Sequence, residues 1–509
     1  MRRPPPKHRS SQTGADLANW AALPDPHKRA VDVSAAGRNN QAHTMKRTSR
    51  LLGHCLAAFC TGWLACSPVI GTAADAPAPS TRKSPDWLRQ AVVYEIFPRN
   101  FSKEGTFTAI TSRLDELKDL GVDVLWLMPI QPIGAKMKKG TIGSPYSVRD
   151  YYAVNPDYGT TNDLQQLIAG AHQRGMKIIL DIVAGHTAWD SVLMDHPQFY
   201  KKDANGNIIP PNPGWTDVAG LNYENQELRR YMVAMLKYWL KEFSVDGFRC
   251  DVAFTVPIDF WEHARAELEQ VHPGLIMLAD ANAAPGLLAK AFNMDNSGAL
   301  HAAVNRVMSG VAPAYLISRS WENTQRLFPE GAMHLRFTDN HENTRAVVRF
   351  GLSGALATQV LMLTLDGVPL FYNGMEVGDA TESTDPALFE KMPINWNPGG
   401  RPLLREIYRH LVKLRKQNPA FYNDTVIWLQ NTVPSEVVTI ERKDDKNEFV
   451  VLINLSSRMV SGTVEVPNAD GFTPLKIDGI PAAPANPLPE FRLGGYEWRI
   501  YQRSLAKPD

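Results

Sequence analysis

The feature that most limits what this chain can fold into is a repeated alternation of apolar runs and amphipathic segments. It begins near Trp87, and its first three apolar runs are Val92–Phe97, Val124–Leu127 and Lys177–Val183. Between these runs, leucine and isoleucine recur every three or four residues, which is the period of a helix. Because the runs are apolar on consecutive residues, both faces of each strand must be covered, as in a parallel sheet between helices.

The same alternation continues through eight units. The remaining strands are predicted at Gly247–Cys250, Leu275–Leu278, Ala291–Met294, His334–Phe337 and Val368–Phe371. Residues 401–416 are predicted to form the last helix. Eight units over about 310 residues predict an α/β fold of the (β/α)8 TIM barrel type.

Two regions depart from this alternation. Residues 186–223 are polar and rich in Pro, Asn and Asp, which predicts a small excursion domain between two parts of the barrel, residues 87–185 and 224–420. Over residues 421–509, β-prone runs are separated by turn residues. That pattern predicts a C-terminal antiparallel β-sandwich.

The N-terminal region carries a different signal. Residues 1–44 have no apolar periodicity and are predicted to be an untranslated or disordered extension. A basic stretch from Met45, an apolar run and small residues up to Ala74 predict a signal peptide over residues 45–74, followed by a linker over 75–86. We therefore expect an exported protein, periplasmic or secreted, without stable membrane insertion after cleavage.

Two alternatives to a cleaved signal stay open. The apolar run could serve as a single membrane anchor, although it is short and is interrupted by Gly53 and His54. A lipid anchor on Cys66 is less favoured, because the residues before it are an unusual lead-in.

The cysteine content argues against stabilisation by disulfides, and the net charge argues against a nucleic-acid partner. Three of the four cysteines lie in the predicted signal peptide, so Cys250 alone remains and no internal disulfide can form. The net charge of +1 gives no broad field that would favour nucleic acid. Nothing in the sequence fixes the oligomeric state.

Polar residues stand where the barrel strands end. Catalytic groups of such barrels lie at the C-terminal ends of the strands. The residues at these ends are Asp181, His186, Arg249, Asp251, Asp280, His341 and Glu342. Any one of these acids could be a loop cap or an ion-pair partner, but their convergence suits glycosidic cleavage. That reaction needs one carboxylate to attack the anomeric carbon and a second carboxylic acid to protonate the leaving oxygen.

Seven segments, in this order, resemble the signature motifs of the α-amylase family of glycoside hydrolases. They are Gly143–Tyr151 (GSPYSVRDY), Asp181–His186 (DIVAGH), Trp215–Asn222 (WTDVAGLN), Asp246–Ala253 (DGFRCDVA), Leu278–Asp280 (LAD), Phe337–Glu342 (FTDNHE) and Gly367–Glu376 (GVPLFYNGME). The resemblance extends from about residue 87 to residue 500. One motif alone would be weak, but all of them at barrel-strand spacing are specific.

The resemblance implies catalytic roles for three carboxylates. Asp251 is expected to be the covalent nucleophile, and Arg249 its partner, because a nearby guanidinium favours the ionised carboxylate. Asp280 stands at the place of the general acid, and Glu342 at the place of the third carboxylate.

The resemblance also implies sugar-binding roles. His186 and His341 are expected to bond sugar hydroxyls at the cleavage subsite. The Tyr146 ring is expected to stack beneath that sugar and to cover its C–H groups.

Three positions differ from the family pattern. The family has Glu where this chain has Asp280, and Asp where this chain has Glu342, so one side chain is a methylene shorter and the other a methylene longer. A displacement near 1 Å can cost about a hundredfold in rate, although backbone shifts can compensate. The third position is Gly185, where many members have an asparagine that binds calcium. No cofactor is expected to be required, and no metal-binding residues are predicted. Calcium stays open as a disfavoured alternative, because this glycine lacks the ligand oxygen of the asparagine.

The expected function is retaining hydrolysis of α-glucosidic bonds in starch or maltooligosaccharides. Two alternatives stay open. One is a transglycosylase or a trehalose-forming isomerase of the same family. The loops around the acceptor site would decide between hydrolysis and transfer. The other is a catalytically degenerate homologue that binds glucans.

Overall fold

The computed structural model describes residues 81–296, 298–399, 402–477 and 485–505. The predicted N-terminal extension, the signal peptide and the first half of the linker lie outside these residues.

Eight parallel strands close into a barrel, which confirms the predicted fold class. Each strand pairs with the next in the chain, and the eighth pairs with the first. The strands are β1 (Val93–Ile96), β2 (Val124–Leu127), β3 (Lys177–Ile182), β4 (Gly247–Cys250), β5 (Ile276–Ala279), β6 (Met294–Asn296), β7 (Met333–Arg336) and β8 (Val368–Tyr372).

Thirteen α-helices cover and flank this barrel in the described part of the chain. They are α1 (Trp87–Gln90), α2 (Pro98–Phe101), α3 (Phe107–Thr111), α4 (Leu114–Leu120), α5 (Thr161–Gln173), α6 (Gln226–Phe243), α7 (Ile258–Glu269), α8 (Gly286–Lys290), α9 (Gly298–Met308), α10 (Leu316–Leu327), α11 (Ala346–Thr364), α12 (Asp385–Phe389) and α13 (Pro402–Gln417).

The position predicted for the sixth strand, Ala291–Met294, is wrong. The strand begins three residues later and runs from Met294 to Asn296. The Phe292 amide donates to the Leu287 carbonyl of α8, so the chain is still turning out of that helix at Phe292. The predicted fifth and seventh strands are each displaced by one residue, since the structure has them at Ile276–Ala279 and Met333–Arg336.

Alternation along the strands divides the barrel interior into two layers. Successive side chains of a strand point to opposite faces. The apolar inward-facing side chains form one buried cluster, which includes Val93, Trp126, Ile179, Leu278, Met294, Leu335 and Leu370. Glu95, Asp181 and Arg249 continue the same alternation towards the C-terminal ends of β1, β3 and β4. The barrel is therefore filled by an apolar layer with a charged layer above it.

The region after β3 contains a small two-stranded antiparallel sheet beside the barrel mouth. His186–Ala188 pairs antiparallel with Val218–Gly220. The Tyr151 hydroxyl oxygen lies 2.6 Å from the Val183 carbonyl oxygen and 2.8 Å from the His186 carbonyl oxygen, so its one proton is shared between the two carbonyls. These bonds fix the place where the chain leaves the barrel, and with it the position of His186.

The C-terminal region is antiparallel, as predicted. Its strands are β9 (Ile427–Trp428), β10 (Val437–Lys443), β11 (Asn447–Asn454), β12 (Val460–Thr463), β13 (Thr473–Pro474), β14 (Glu490–Leu493) and β15 (Trp498–Ser504). Five of them form one sheet in the order β9-β10-β11-β15-β13, and β12 pairs with β14. One face of β11 joins the core shared with the barrel, and the other face joins a separate core under β14. Burial on both faces explains its near-continuous apolar sequence.

One described helix, α11, is long and apolar enough to cross a membrane. Most of its side chains are buried, and its backbone breaks at Gly351, where φ is 68°. It packs against α9, α13 and β11. Its apolar character is accounted for by its place in the barrel wall.

Arg415 of α13 is predicted to hold the last barrel helix to the core. Its guanidinium is buried and donates to backbone carbonyls that include those of Leu363, Leu365 and Phe421. A buried carbonyl without a donor costs about 1–3 kcal/mol. Arg415→Met should therefore lower the free energy of unfolding by about 3 kcal/mol or more, as measured in urea. Lys413→Met, at an exposed position of the same helix, is the matched control and should change little. Equal stability of the two variants would contradict the role.

Candidate active site

The centre of the site is the Arg249 guanidinium, which is only 1% exposed. Its Nη1 atom lies 2.9 Å from Asp181 Oδ1 and 2.9 Å from Asp251 Oδ1. Its Nη2 atom lies 2.7 Å from Asp280 Oδ2. One side chain of β4 thus binds three carboxylates, which lie at the C-terminal ends of β3, β4 and β5.

Close backbone packing positions Arg249. Asp181 and Arg249 are direct partners in the β3–β4 ladder, so their side chains lie next to each other. Two residues earlier, Gly247 has φ of 152°, and a Cβ there would lie 1.9 Å from the Ile276 carbonyl oxygen. Only glycine allows β4 to approach β5 this closely. The motif's glycine is therefore a packing requirement of the charged layer.

The cluster holds one cation for three carboxylates. Burial raises the pKa of Asp251 to about 8; Arg249 opposes that shift, while the neighbouring Asp181 and Asp280 charges add to it. The pKa of Asp181 is also raised by burial, against the effect of Arg249. Arg249 therefore orients Asp251 and reduces the cost of its charge, but it does not offset the full cost of burial.

The residue after Asp251 has a strained backbone. Val252 has φ of 37° in the left-handed region, which a β-branched residue rarely adopts. Its amide donates to Asp280 Oδ2 at 3.2 Å. Strain of this kind concentrates at functional sites. The turn ends β4 abruptly and leaves Asp251 at the floor of a cleft.

A second charged chain runs from β1 to Asp181. His341 Nδ1 bonds Glu95, and His341 Nε2 lies 2.9 Å from the Tyr146 hydroxyl. That hydroxyl donates to Asp181 Oδ2 at 3.1 Å. Burial by itself lowers the pKa of His341, but the buried Glu95 carboxylate outweighs it and raises that pKa to about 9. His341 is thus an imidazolium at neutral pH.

The cleft above these groups has a volume of about 510 Å³ and contains most of the predicted site residues. Its lining includes Ser144, Tyr146, His186, Trp215, Asp251, Val252, Glu342 and Phe389. Tyr146 is stacked on His341 with 5.5 Å between ring centroids and 29° between planes. Asp280 is not part of the lining, and Arg249 lies below the floor.

His186 stands on the excursion side of the cleft. Burial lowers its pKa to about 4, so the ring is neutral at physiological pH. Its Nδ1 atom is buried without a hydrogen-bond partner among the described residues. The Trp215 ring lies 5.6 Å from it, centroid to centroid. A neutral ring with an unused nitrogen suits a polar, uncharged ligand.

The sequence reasoning missed several residues of the site. Glu95 and Trp126 were assigned only to strands, yet Glu95 binds His341, and the Trp126 indole donates to Asp181 Oδ2 at 3.2 Å. The sequence does indicate a role for Glu95, because a charged residue at an inward-facing position of an apolar strand is unusual. Trp215 belongs to the Trp215–Asn222 motif, which by itself predicts no role for the ring.

Gly185 occupies the position at which many members of the resembling family have a calcium-binding asparagine, and its surroundings do not fit that ion. Gly185 supplies no side-chain oxygen, and its carbonyl accepts the Leu221 amide at 3.0 Å. A Cβ at this position would lie 3.0 Å from Thr255 Oγ1. Within the described residues, no group of three or more His, Cys, Asp and Glu side chains could hold a metal.

Comparison with known proteins identifies the barrel. The family model for the alpha-amylase catalytic domain matches residues 88–205 and 214–401. The alpha-amylase MalA of Haloarcula japonica is 27% identical over 437 residues, which cover 79% of this chain and 63% of that protein. An intracellular maltogenic amylase of Bacillus subtilis is 26% identical over 425 residues, covering 73% of this chain and 67% of that protein.

A solved structure gives the same result. The noncanonic maltogenic alpha-amylase AmyB of Thermotoga neapolitana superposes with a TM-score of 0.75 at 29% identity. The superposition covers 82% of this chain and all of that one.

The raised pKa of Asp251 predicts that its charge destabilises the fold. An aspartate that is harder to ionise in the folded state costs stability as the pH rises above its unfolded pKa of about 3.9. The cost grows until the pH passes the folded pKa of about 8. Asp251→Asn removes this charge at nearly constant shape. The variant should melt several degrees above the wild type at pH 8, and the difference should shrink towards pH 4.5. Asp195→Asn, at an exposed position, is the control. A variant that melts lower than the wild type at pH 8 would refute the argument.

Proposed function

Because the chain belongs to the α-amylase family of glycoside hydrolases, we propose that it hydrolyses α-glucosidic bonds of starch-like glucans and maltooligosaccharides. The reaction proceeds with retention, through a covalent glycosyl ester on Asp251. The matched relatives support this activity, because their names are those of α-amylases and maltogenic amylases.

The observation that carries the proposal is the placement of Asp251. Its carboxylate lines the cleft at the end of β4, and Arg249 holds Oδ1 at 2.9 Å. A nucleophile fixed by a rigid, buried partner can meet the anomeric carbon without reorganisation. Burial makes the ionised carboxylate less stable and therefore more ready to form a neutral ester.

The walls of the cleft suit a neutral sugar. Neutral His186 can donate an N–H to a sugar hydroxyl. His341 is not part of the cleft lining, contrary to the sugar-binding role expected for it, because its two ring nitrogens face Glu95 and Tyr146; it holds the Tyr146 ring in place instead. Tyr146 and Trp215 offer aromatic faces that cover sugar C–H groups. These contacts orient the ring so that its anomeric carbon faces Asp251.

The two chemical steps follow from this arrangement. In the first step, an Asp251 oxygen attacks the anomeric carbon, the glycosidic C–O bond breaks, and a carboxylic acid gives its proton to the leaving oxygen. In the second step, water attacks the anomeric carbon, its proton goes back to the same carboxyl group, and the ester bond to Asp251 breaks. The sugar leaves with its original anomeric configuration.

Trapping tests the nucleophile. Incubation with an activated fluorinated glucosyl donor should add one glycosyl mass to the peptide that contains Asp251, because the ester forms faster than it hydrolyses. Asp251→Asn should remain folded, lose turnover and take up no label, whereas Asp195→Asn should label like the wild type. A label on another carboxylate would overturn the assignment.

We further propose that the protein is exported. A basic stretch after Met45, an apolar run and small residues before Asp75 support this step. Some similar proteins are named intracellular amylases, so the location needs its own test.

Expression from Met45 is predicted to give the same exported protein as the full sequence, starting near Asp75. Intact mass of the protein from the periplasm and the medium measures this directly. A mass that retains residues 1–44, or a mature protein that retains the apolar run, would contradict the proposal.

A further inference from the structure

Asp280 is surrounded by hydrogen-bond donors. Its Oδ2 atom lies 2.7 Å from Arg249 Nη2 and accepts the Val252 amide at 3.2 Å. Its Oδ1 atom accepts the Asn296 side-chain amide at 2.6 Å. Guanidinium and backbone N–H groups donate and cannot accept. A proton on Oδ2 would therefore face two donors.

A proton on the other oxygen would be no better placed. If the Asn296 amide were turned over, its carbonyl could accept a proton from Asp280 Oδ1. That proton would then point at Asn296 and not into the cleft. The side chain is 17% exposed and does not line the cleft that holds Asp251. Asp280 is placed as a salt-bridge partner of Arg249.

Glu342 has the opposite surroundings. Its side chain is 62% exposed and lines the same cleft as Asp251. It follows His341 in the loop after β7, and its Oε1 atom lies 3.7 Å from His341 Nε2. Its extra methylene carries the carboxyl group further from the backbone than an aspartate would.

The two substitutions therefore complement each other. The shorter acid after β5 is withdrawn into the Arg249 cluster, and the longer acid after β7 reaches into the cleft. We propose that Glu342 is the proton donor and acceptor of this site, and that Asp280 is a positioning residue that acts through Arg249. This proposal rests on the hydrolytic function proposed above.

Glu342 is placed for both chemical steps. It lines the same cleft as Asp251, and its Oε1 atom lies 3.7 Å from His341 Nε2. In the first step its carboxyl group gives a proton to the leaving oxygen while Asp251 forms the ester. In the second step the resulting carboxylate takes the proton of the attacking water, and the ester bond breaks.

The test compares Glu342→Gln with Asp280→Asn on two substrates. Maltotriose has a poor leaving group and needs the proton, whereas 4-nitrophenyl α-maltotrioside has a good one. With Glu342→Gln, kcat/KM on maltotriose should fall about 100- to 10,000-fold, with a much smaller loss on the nitrophenyl substrate. Azide needs no base, so it should restore turnover of the nitrophenyl substrate and yield a glycosyl azide.

Asp280→Asn should behave differently. Because it disturbs Arg249 and hence Asp251, it should lower both activities by similar factors and form no glycosyl azide. Glu322→Gln, at an exposed position of α10, is the matched control and should resemble the wild type.

The outcomes separate the two proposals. Selective loss and azide product in Asp280→Asn, or equal loss on both substrates in Glu342→Gln, would overturn the assignment of Glu342. If Asp280→Asn does not fold, the measurements on Glu342→Gln still test the assignment, because Glu342 is exposed and its substitution should not disturb folding. A folded wild type that cleaves neither substrate would instead reject the proposed function.

Discussion

The buried guanidinium of Arg249 is the contact on which the site depends. It bridges Asp181, Asp251 and Asp280, which belong to three consecutive strands or to the residues that follow them. Removing the guanidinium would leave its buried carboxylates without a cation, and breaking a buried ion pair in this way typically costs about 3–5 kcal/mol. The side chain thus fixes the nucleophile and the carboxyl ends of three strands at the same time.

This charged layer lies on a buried apolar layer that fills the barrel beneath it. Burial keeps water from the carboxylates, raises the pKa of Asp251 and Asp181, and strengthens each charge–charge interaction. The left-handed backbone at Val252 adds strain at the same place. The site lowers the stability of the fold, and the apolar layer inside the barrel offsets that loss.

The lengths of the acids after β5 and β7 differ from the family pattern, and these lengths explain where the two carboxyl groups lie. A β5 carboxylate that is one methylene shorter sits within reach of Arg249 and of the Val252 amide. A β7 carboxylate that is one methylene longer stands free of that cluster beside the His341 imidazolium. Both positions keep an acid, but the charges around each acid differ, and those charges fit one of them for proton transfer and the other for holding Arg249.

The sequence by itself determined the barrel, the C-terminal antiparallel region and most of the strand-end residues, because those depend on periodicity and on motifs read locally. It located β2 and β4 correctly, but it misplaced the sixth strand, whose start depends on a bond from Phe292 back to α8. Only the tertiary structure decided that Glu95 binds His341, since 246 residues separate them along the chain. It also decided that Asp280 turns towards Arg249 while Glu342 faces the cleft. Motif spacing gives the strand end on which an acid stands, whereas the direction of its side chain depends on donors contributed by other strands.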